Sequence, residues 1–272
     1  MGYWLWIIMV IIFWIVLWKT SSVARYYFKF SIFALASVVF ATTPIPFMLL
    51  KPKDSKNALI PAAGLRLAAK LMGVKCIVHG KENIVKDSGC VVVINHQSVI
   101  DLIVLAELWP IMDRCTVISK KEIFYIWPFG LAAWLWGTIF IDRLNAGKAQ
   151  NAINSTGKLI RERKSRVLMF PEGTRSLKDK LLPFKKGAFH LAIASQCPVQ
   201  PVVVNRYTFL GNARFDDGEI HITILPQIET VAFHKQNIRE LIDHTYNVMS
   251  SYLENLDRNP NNNIDKVCEK MN

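Results

Sequence analysis

Along the first fifty residues, apolar positions run without a polar face. Residues 1–18 are apolar except for Gly2, residues 30–50 are uncharged, and the link between them carries Lys19, Arg25 and Lys29. As helices the two runs reach about 27 and 31 Å against a hydrocarbon thickness of about 30 Å, so each spans a bilayer only narrowly. Pro44 and Pro46 should stop the second helix early. Two full spans fit these lengths. A hairpin dipping into one leaflet fits them too, and accounts for the basic residues on both flanks. A cleaved signal peptide fits poorly, because no basic residue precedes the apolar run and no small-residue cleavage site follows it. Trp6 stands where a myristoylation motif needs Ser or Thr.

After residue 50 the pattern turns globular. Short apolar runs at 75–79, 90–95, 115–119, 138–142, 167–170, 199–205 and 219–225 predict strands, and segments at 98–109, 145–164, 184–196 and 235–255 predict helices. Such alternation predicts an α/β fold, a largely parallel or mixed sheet flanked by helices, preceded by an N-terminal two-helix membrane segment. The domain division is then a membrane-inserted hairpin over 1–50, the globular domain over 51–258 and a polar tail over 259–272. Residues 123–141 are also uncharged and long enough to pass for a third span. Pro128, Gly130 and Gly137 interrupt that helix, so a folded, membrane-facing segment is expected. Its aromatic residues Phe124, Tyr125, Trp127, Phe129, Trp134 and Trp136 suit an acyl-chain groove, a headgroup-level anchor or plain core packing.

Composition sets the surroundings. The 272 residues, 51% hydrophobic, supply one domain of about 200 residues and about 50 more. The net charge of +12 is scattered, with no compact basic arm, so no nucleic-acid partner is expected. Anionic headgroups and phosphorylated substrates fit such a charge beside lipid segments; a solvated positive face is the plainer alternative. The five cysteines, Cys76, Cys90, Cys115, Cys197 and Cys268, have no metal-ligand spacing. They read as thiols of a reducing compartment, which favours a cytosolic domain.

Two junctions between strand and helix carry candidate chemistry. His96 and Asp101 would lie about 140° apart on one continuous helix, too far to pair. Yet 90–95 reads as a strand, and Ser98-Val99-Ile100-Asp101 has the form of a capping box with Ser98 as N-cap. His96 then falls in the turn, where a first-turn carboxylate folds back onto one imidazole nitrogen and leaves the other to take a proton. The alternative is that Asp101 only caps and His96 only fills a turn. In Phe170-Pro171-Glu172-Gly173-Thr174-Arg175-Ser176 the glycine permits a close backbone approach, the threonine offers a hydroxyl and the arginine a fork for phosphate oxygens. Gly137-Thr138-Ile139-Phe140-Ile141-Asp142-Arg143 ends another strand with another arginine, and Val199-Gln200-Pro201 reads as structural.

In order and spacing these four segments resemble the four blocks of the glycerolipid acyltransferases, specifically the 1-acylglycerol-3-phosphate O-acyltransferases (lysophosphatidic acid acyltransferases). The resemblance covers about residues 50–230. Lys120-Lys121-Glu122, Trp127-Pro128-Phe129-Gly130 and Leu182-Pro183-Phe184-Lys185-Lys186-Gly187 are similar to the phosphatidate-forming branch. Gln200 departs from the aliphatic residue more usual in the fourth block. The resemblance implies acyl-CoA-dependent transfer of a fatty acyl group to the sn-2 hydroxyl of 1-acylglycerol-3-phosphate, giving phosphatidic acid and CoA. It implies His96 as base and Asp101 as its holder, with Arg143, Glu172, Gly173, Thr174 and Arg175 at the acceptor and Lys120 and Lys121 as lesser members of that cluster. Acyl-CoA is then a co-substrate, with no cofactor and no metal. The expected partners are acyl-CoA, lysophosphatidic acid and the lipid bilayer, and the expected place is the endoplasmic reticulum membrane with the catalytic domain facing the cytosol. The alternatives are a related acyltransferase that remodels another lysophospholipid, and a non-enzymatic membrane-anchored lipid-binding protein. Nothing in the chain sets its oligomeric state.

Overall fold

A computed structural model describes residues 2–142, 146–178 and 180–258. Helices α1 (Gly2–Thr20) and α2 (Ser22–Thr42) meet at Ser21, whose hydroxyl accepts from the Ala24 N–H at 3.2 Å and caps the second helix. Both are long and apolar enough to cross a membrane. The second stops before Pro44, as its prolines dictate. The short helix α3 (Ile45–Met48) carries Pro46 in its first turn, where a missing N–H costs little.

The chain continues through α4 (Leu59–Leu71), β1 (Val74–His79), β2 (Cys90–Ile94), α5 (Asp101–Met112), β3 (Cys115–Lys120), α6 (Phe129–Leu135), β4 (Ile139–Ile141), α7 (Ala146–Arg163), β5 (Arg166–Met169) and α8 (Gly187–Ser195). Then come β6 (Val199–Val204), the two-residue strands β7 (Leu210–Gly211) and β8 (Arg214–Phe215), β9 (Gly218–Ile224) and α9 (Ile238–Arg258). Seven strands form one sheet in the order β1-β9-β6-β2-β5-β3-β4, parallel throughout except for the β6/β9 pair. The sheet is therefore mixed, as the alternation of runs predicts.

Both faces of the sheet are covered, which is why its central strands read as unbroken apolar runs. Val92 and Ile94 of β2 point into a core shared with α4 and α5, while Val91 and Val93 face α8 and α9. Helix α2 joins the first of these layers. A Cβ placed on Gly64 of α4 would lie 2.0 Å from the Phe40 ring, so glycine is what lets the two helices approach this closely. Lys29 of α2 is buried at 1% exposure and donates to Asp217 Oδ1 at 2.6 Å, with the Phe215 ring 5.2 Å away. The opposite side of α2, with Tyr27, Phe28 and Leu35, is exposed, as are the side chains of residues 3–13 on α1.

Residues 123–141 form the end of a 3₁₀ turn, helix α6 and strand β4, the folded segment expected in place of a third span. One expectation changes. Helix α5 starts at Asp101, not at 98, with Ile100 as an N-cap that makes no side-chain cap bond. Only half of the capping box forms. Asp101 Oδ2 accepts from the Ser98 N–H at 3.2 Å, but the Asp101 N–H goes to the Ser98 carbonyl and not to its hydroxyl. The half that fails is the hydroxyl's, which faces the Ile100 N–H at 3.5 Å. Helices α4 and α6 go beyond the predicted elements. Arg143 and the tail 259–272 lie outside the described residues.

Candidate active site

Strands β2 and β5 are parallel neighbours at the centre of the sheet, and their onward helices leave to opposite faces: α5 into one core, α8 into the other. Such a divergence opens a crevice at the carboxyl ends of the strands. His96 leaves β2 there, and Phe170-Pro171-Glu172-Gly173 leaves β5 beside it.

His96 and Asp101 come together across the turn. The imidazole Nδ1 lies 2.6 Å from Asp101 Oδ2, and that oxygen also accepts the backbone N–H groups of Gln97 at 2.8 Å and Ser98 at 3.2 Å. Asp101 is 2% exposed, so its charge is held by donors and not by water. The imidazole stacks on Phe170, with centroids 3.9 Å apart. The Nδ1 contact fixes the tautomer and leaves Nε2 as the nitrogen able to accept a proton.

Glu172 holds the two turns together. Its Oε1 accepts the His96 backbone N–H at 2.7 Å and its Oε2 the Leu182 N–H at 2.9 Å, while the Ser176 N–H donates to the His96 carbonyl at 3.0 Å. Burial raises the Glu172 carboxyl above its ordinary pKa, against the lowering pull of these two backbone donors. Gly173 sits at φ 69°, a left-handed conformation that any side chain would strain. The turn so shaped delivers Thr174 and Arg175 to the rim of a cleft.

That cleft has a volume of about 460 Å³ and is lined by His96, Ser98, Lys120, Thr174 and Arg175 together with apolar groups. The latter include Ala41 of α2, Pro61 and Leu65 of α4, Leu105 and Trp109 of α5, and Ala133 and Trp136 around α6. A base with two cations beside it and a hydrocarbon wall beyond suits an amphiphile with an anionic head. Of the aromatic residues in 123–141, Phe129 and Trp136 line the cleft, whereas Tyr125 and Trp127 are exposed. Lys120 borders the cleft; Lys121 is turned to Asp142, with its Nζ 3.9 Å from Oδ2.

Among the described residues no thiol lines the cleft. Burial pushes Cys90 and Cys197 up to about 12 and keeps them protonated at neutral pH. Among the described residues no group of His, Cys, Asp and Glu could hold a metal ion.

Three residues around the pair have roles that only the structure shows. Tyr207 donates its hydroxyl to Asp101 Oδ1 at 2.6 Å. Gln97 Nε2 donates to the Asn205 carbonyl at 2.8 Å, and Asn95 bonds both the N–H and the carbonyl of Val204. Tyr207 lies 106 positions from Asp101 in the chain, and only the closing of the sheet between β2 and β6 brings them together.

A family model described as Acyltransferase matches residues 75–205. The human 1-acyl-sn-glycerol-3-phosphate acyltransferase alpha is 33% identical over 236 residues, 86% of this chain and 83% of that protein. The mouse protein of the same name is 35% identical, over 84% and 80% of the two chains. The 1-acyl-sn-glycerol-3-phosphate acyltransferase of Salmonella typhimurium is 29% identical, over 86% of this chain and 95% of its own. In fold, the chain is similar to the crystal structure of the 1-acyl-sn-glycerophosphate (LPA) acyltransferase PlsC from Thermotoga maritima, with a TM-score of 0.64 at 23% identity over 85% of this chain and 97% of that one.

Proposed function

The chain belongs to the 1-acyl-sn-glycerol-3-phosphate acyltransferases, and from that premise we propose that it transfers a fatty acyl group from acyl-CoA to the sn-2 hydroxyl of 1-acylglycerol-3-phosphate. The observation that carries this reading is the His96–Asp101 pair at the rim of a cleft that is basic at the imidazole and apolar beyond it. His96 Nε2 takes the proton of the acceptor hydroxyl as its oxygen attacks the thioester carbonyl. The tetrahedral adduct collapses, the carbon–sulfur bond breaks, and the imidazolium returns the proton to the CoA thiolate. The products are phosphatidic acid and CoA. Asp101 keeps the imidazole in the productive tautomer and stabilises the cation that forms.

Lys120 and Arg175 hold the acceptor phosphate, with Arg175 supplying a bidentate fork; Arg143 is assigned to the same group from the sequence alone. Glu172 and Gly173 shape the turn that presents Thr174 and Arg175. No covalent acyl-enzyme, metal or prosthetic group is needed, since the thioester is already activated and a positioned base supplies much of the rate. The domain faces the cytosol, where acyl-CoA is found, on the endoplasmic reticulum membrane.

The experiment is an acyl-transfer assay on full-length protein in detergent, with labelled acyl-CoA and a panel of lysolipids. Lysophosphatidic acid should be the preferred acceptor. His96→Ala should lower kcat by about 10² to 10⁴. A His96→Ala enzyme at a tenth or more of wild-type activity would overturn the base, and preference for an acceptor with a larger headgroup would overturn the substrate.

A further inference from the structure

We infer that Tyr207 is a positioning residue for acyl transfer, setting the basicity of His96 through the second oxygen of Asp101. The inference rests on His96 acting as the base. Asp101 uses its two oxygens differently. Oδ2 meets the imidazole and two backbone N–H groups, whereas the one contact on Oδ1 among the described residues is the Tyr207 hydroxyl at 2.6 Å. At 4% exposure for Tyr207 and 2% for Asp101, water has little access to this bond.

The phenol is built into its place. Gln97 Oε1 accepts the Tyr207 backbone N–H at 3.3 Å, and Gln97 Nε2 holds the Asn205 carbonyl at 2.8 Å. The ring packs against Phe209 with centroids 5.6 Å apart. The residues next to the base, Asn95 and Gln97, thus spend their side chains on fixing 204–207, so the segment that carries the phenol is referenced to His96 itself. Burial, reinforced by the Asp101 charge, raises the phenol well above its ordinary pKa, so it acts only as a donor.

A donor on Oδ1 draws charge from the carboxylate and weakens its pull on the imidazole proton. Without it, Asp101 would hold the imidazolium more strongly and the ionisation of His96 would move up. Less of the base would then be neutral at cytosolic pH. The other charged groups near the ring are Glu172 from the turn after β5, and Arg175 and Lys120 along the cleft. Lys178, Lys180 and Arg206 line a small recess on which His96 also borders. None of them contacts the Tyr207 hydroxyl among the described residues, so removing that hydroxyl leaves them in place.

The test is Tyr207→Phe in the full-length enzyme, read by a kcat/KM pH profile and by an NMR titration of the His96 ring. Because the effect is a smaller neutral fraction of His96, Tyr207→Phe should lower kcat at neutral pH by about two- to tenfold with little change in either KM. The acid limb of the profile and the ring titration should both move up by about half a unit to one unit, and raising the pH should restore part of the rate. Phe209→Leu serves as a packing control, expected to lower stability without moving the titration. An unshifted His96 titration in a folded Tyr207→Phe protein overturns the inference. A shifted titration with unchanged catalysis instead overturns His96 as the base, so the two failures are told apart; should Tyr207→Phe not fold, the same titration is read on Gln97→Ala, which frees the backbone that carries the phenol, and an unshifted His96 ring there overturns the inference.

Discussion

At the scale of single residues, the second motif divides its labour. Glu172 is 3% exposed with both oxygens on backbone donors, while Arg175 is exposed at the cleft. Glu172→Ala should therefore lower stability by about 1 kcal/mol, through two part-buried N–H groups that lose their acceptor, and lower kcat with it. Arg175→Ala should leave the melting temperature near wild type and raise KM for lysophosphatidic acid more than KM for acyl-CoA. Calorimetry beside initial-rate kinetics separates the two, and an acyl-CoA effect alone would move Arg175 to the donor side. Gln200 also serves the structure, since its Oε1 accepts the Val85 N–H at 3.0 Å and its Nε2 donates to the Leu225 carbonyl. The pairing of His96 with Asp101 could be argued from their spacing and the strand before them. That Glu172 ties two turns together could not, since nothing local says which backbone donors a buried carboxylate will meet.

At the scale of elements, helix α2 behaves as part of two environments. Its protein-facing side carries Lys29, whose ammonium is buried while its partner Asp217 reaches solvent, with side-chain exposures of 1% and 81%. A buried charge is strongly destabilising once its partner is removed, but an apolar isostere in its place is close to neutral. Asp217→Ala should thus cost about 2 kcal/mol of stability, whereas Lys29→Met should cost little. Thermal unfolding of the two variants in detergent decides this; equal losses would mean that the pair itself holds α2 in place. The apolar run over 30–50 shows hydrophobicity but not the side on which protein replaces lipid. That choice comes from α4, whose Gly64 admits the Phe40 ring.

At the scale of the whole molecule, α1 is exposed over residues 3–13, yet α2 contributes Ala41 and Ser37 to the cleft wall. Deleting residues 1–20 should leave a folded enzyme with weakened membrane attachment. Deleting residues 1–50 should expose the core under α2 and leave protein that aggregates, as size-exclusion chromatography of the two truncations would show. Equal folding of both would make α2 only an anchor. Asn154-Ser155-Thr156, on α7, is a sequon that a cytosolic domain keeps bare. Glycosidase treatment of protein from eukaryotic membranes should cause no mobility shift; a shift would place the domain in the lumen.

The sequence by itself determined the strand runs of the mixed sheet, the apolar N-terminus and the two turns that carry His96, Asp101 and Arg175. All of these depend on period, spacing and backbone preference, which act over a few neighbouring residues. Tertiary structure alone decided that α5 begins at Asp101, that α2 closes the cleft, that Lys120 and not Lys121 borders it, and that Tyr207 completes the carboxylate. All but the first join segments tens to hundreds of positions apart. Such contacts are fixed by the order of strands in the sheet and by the need to pair every buried polar group, and neither is written in local sequence.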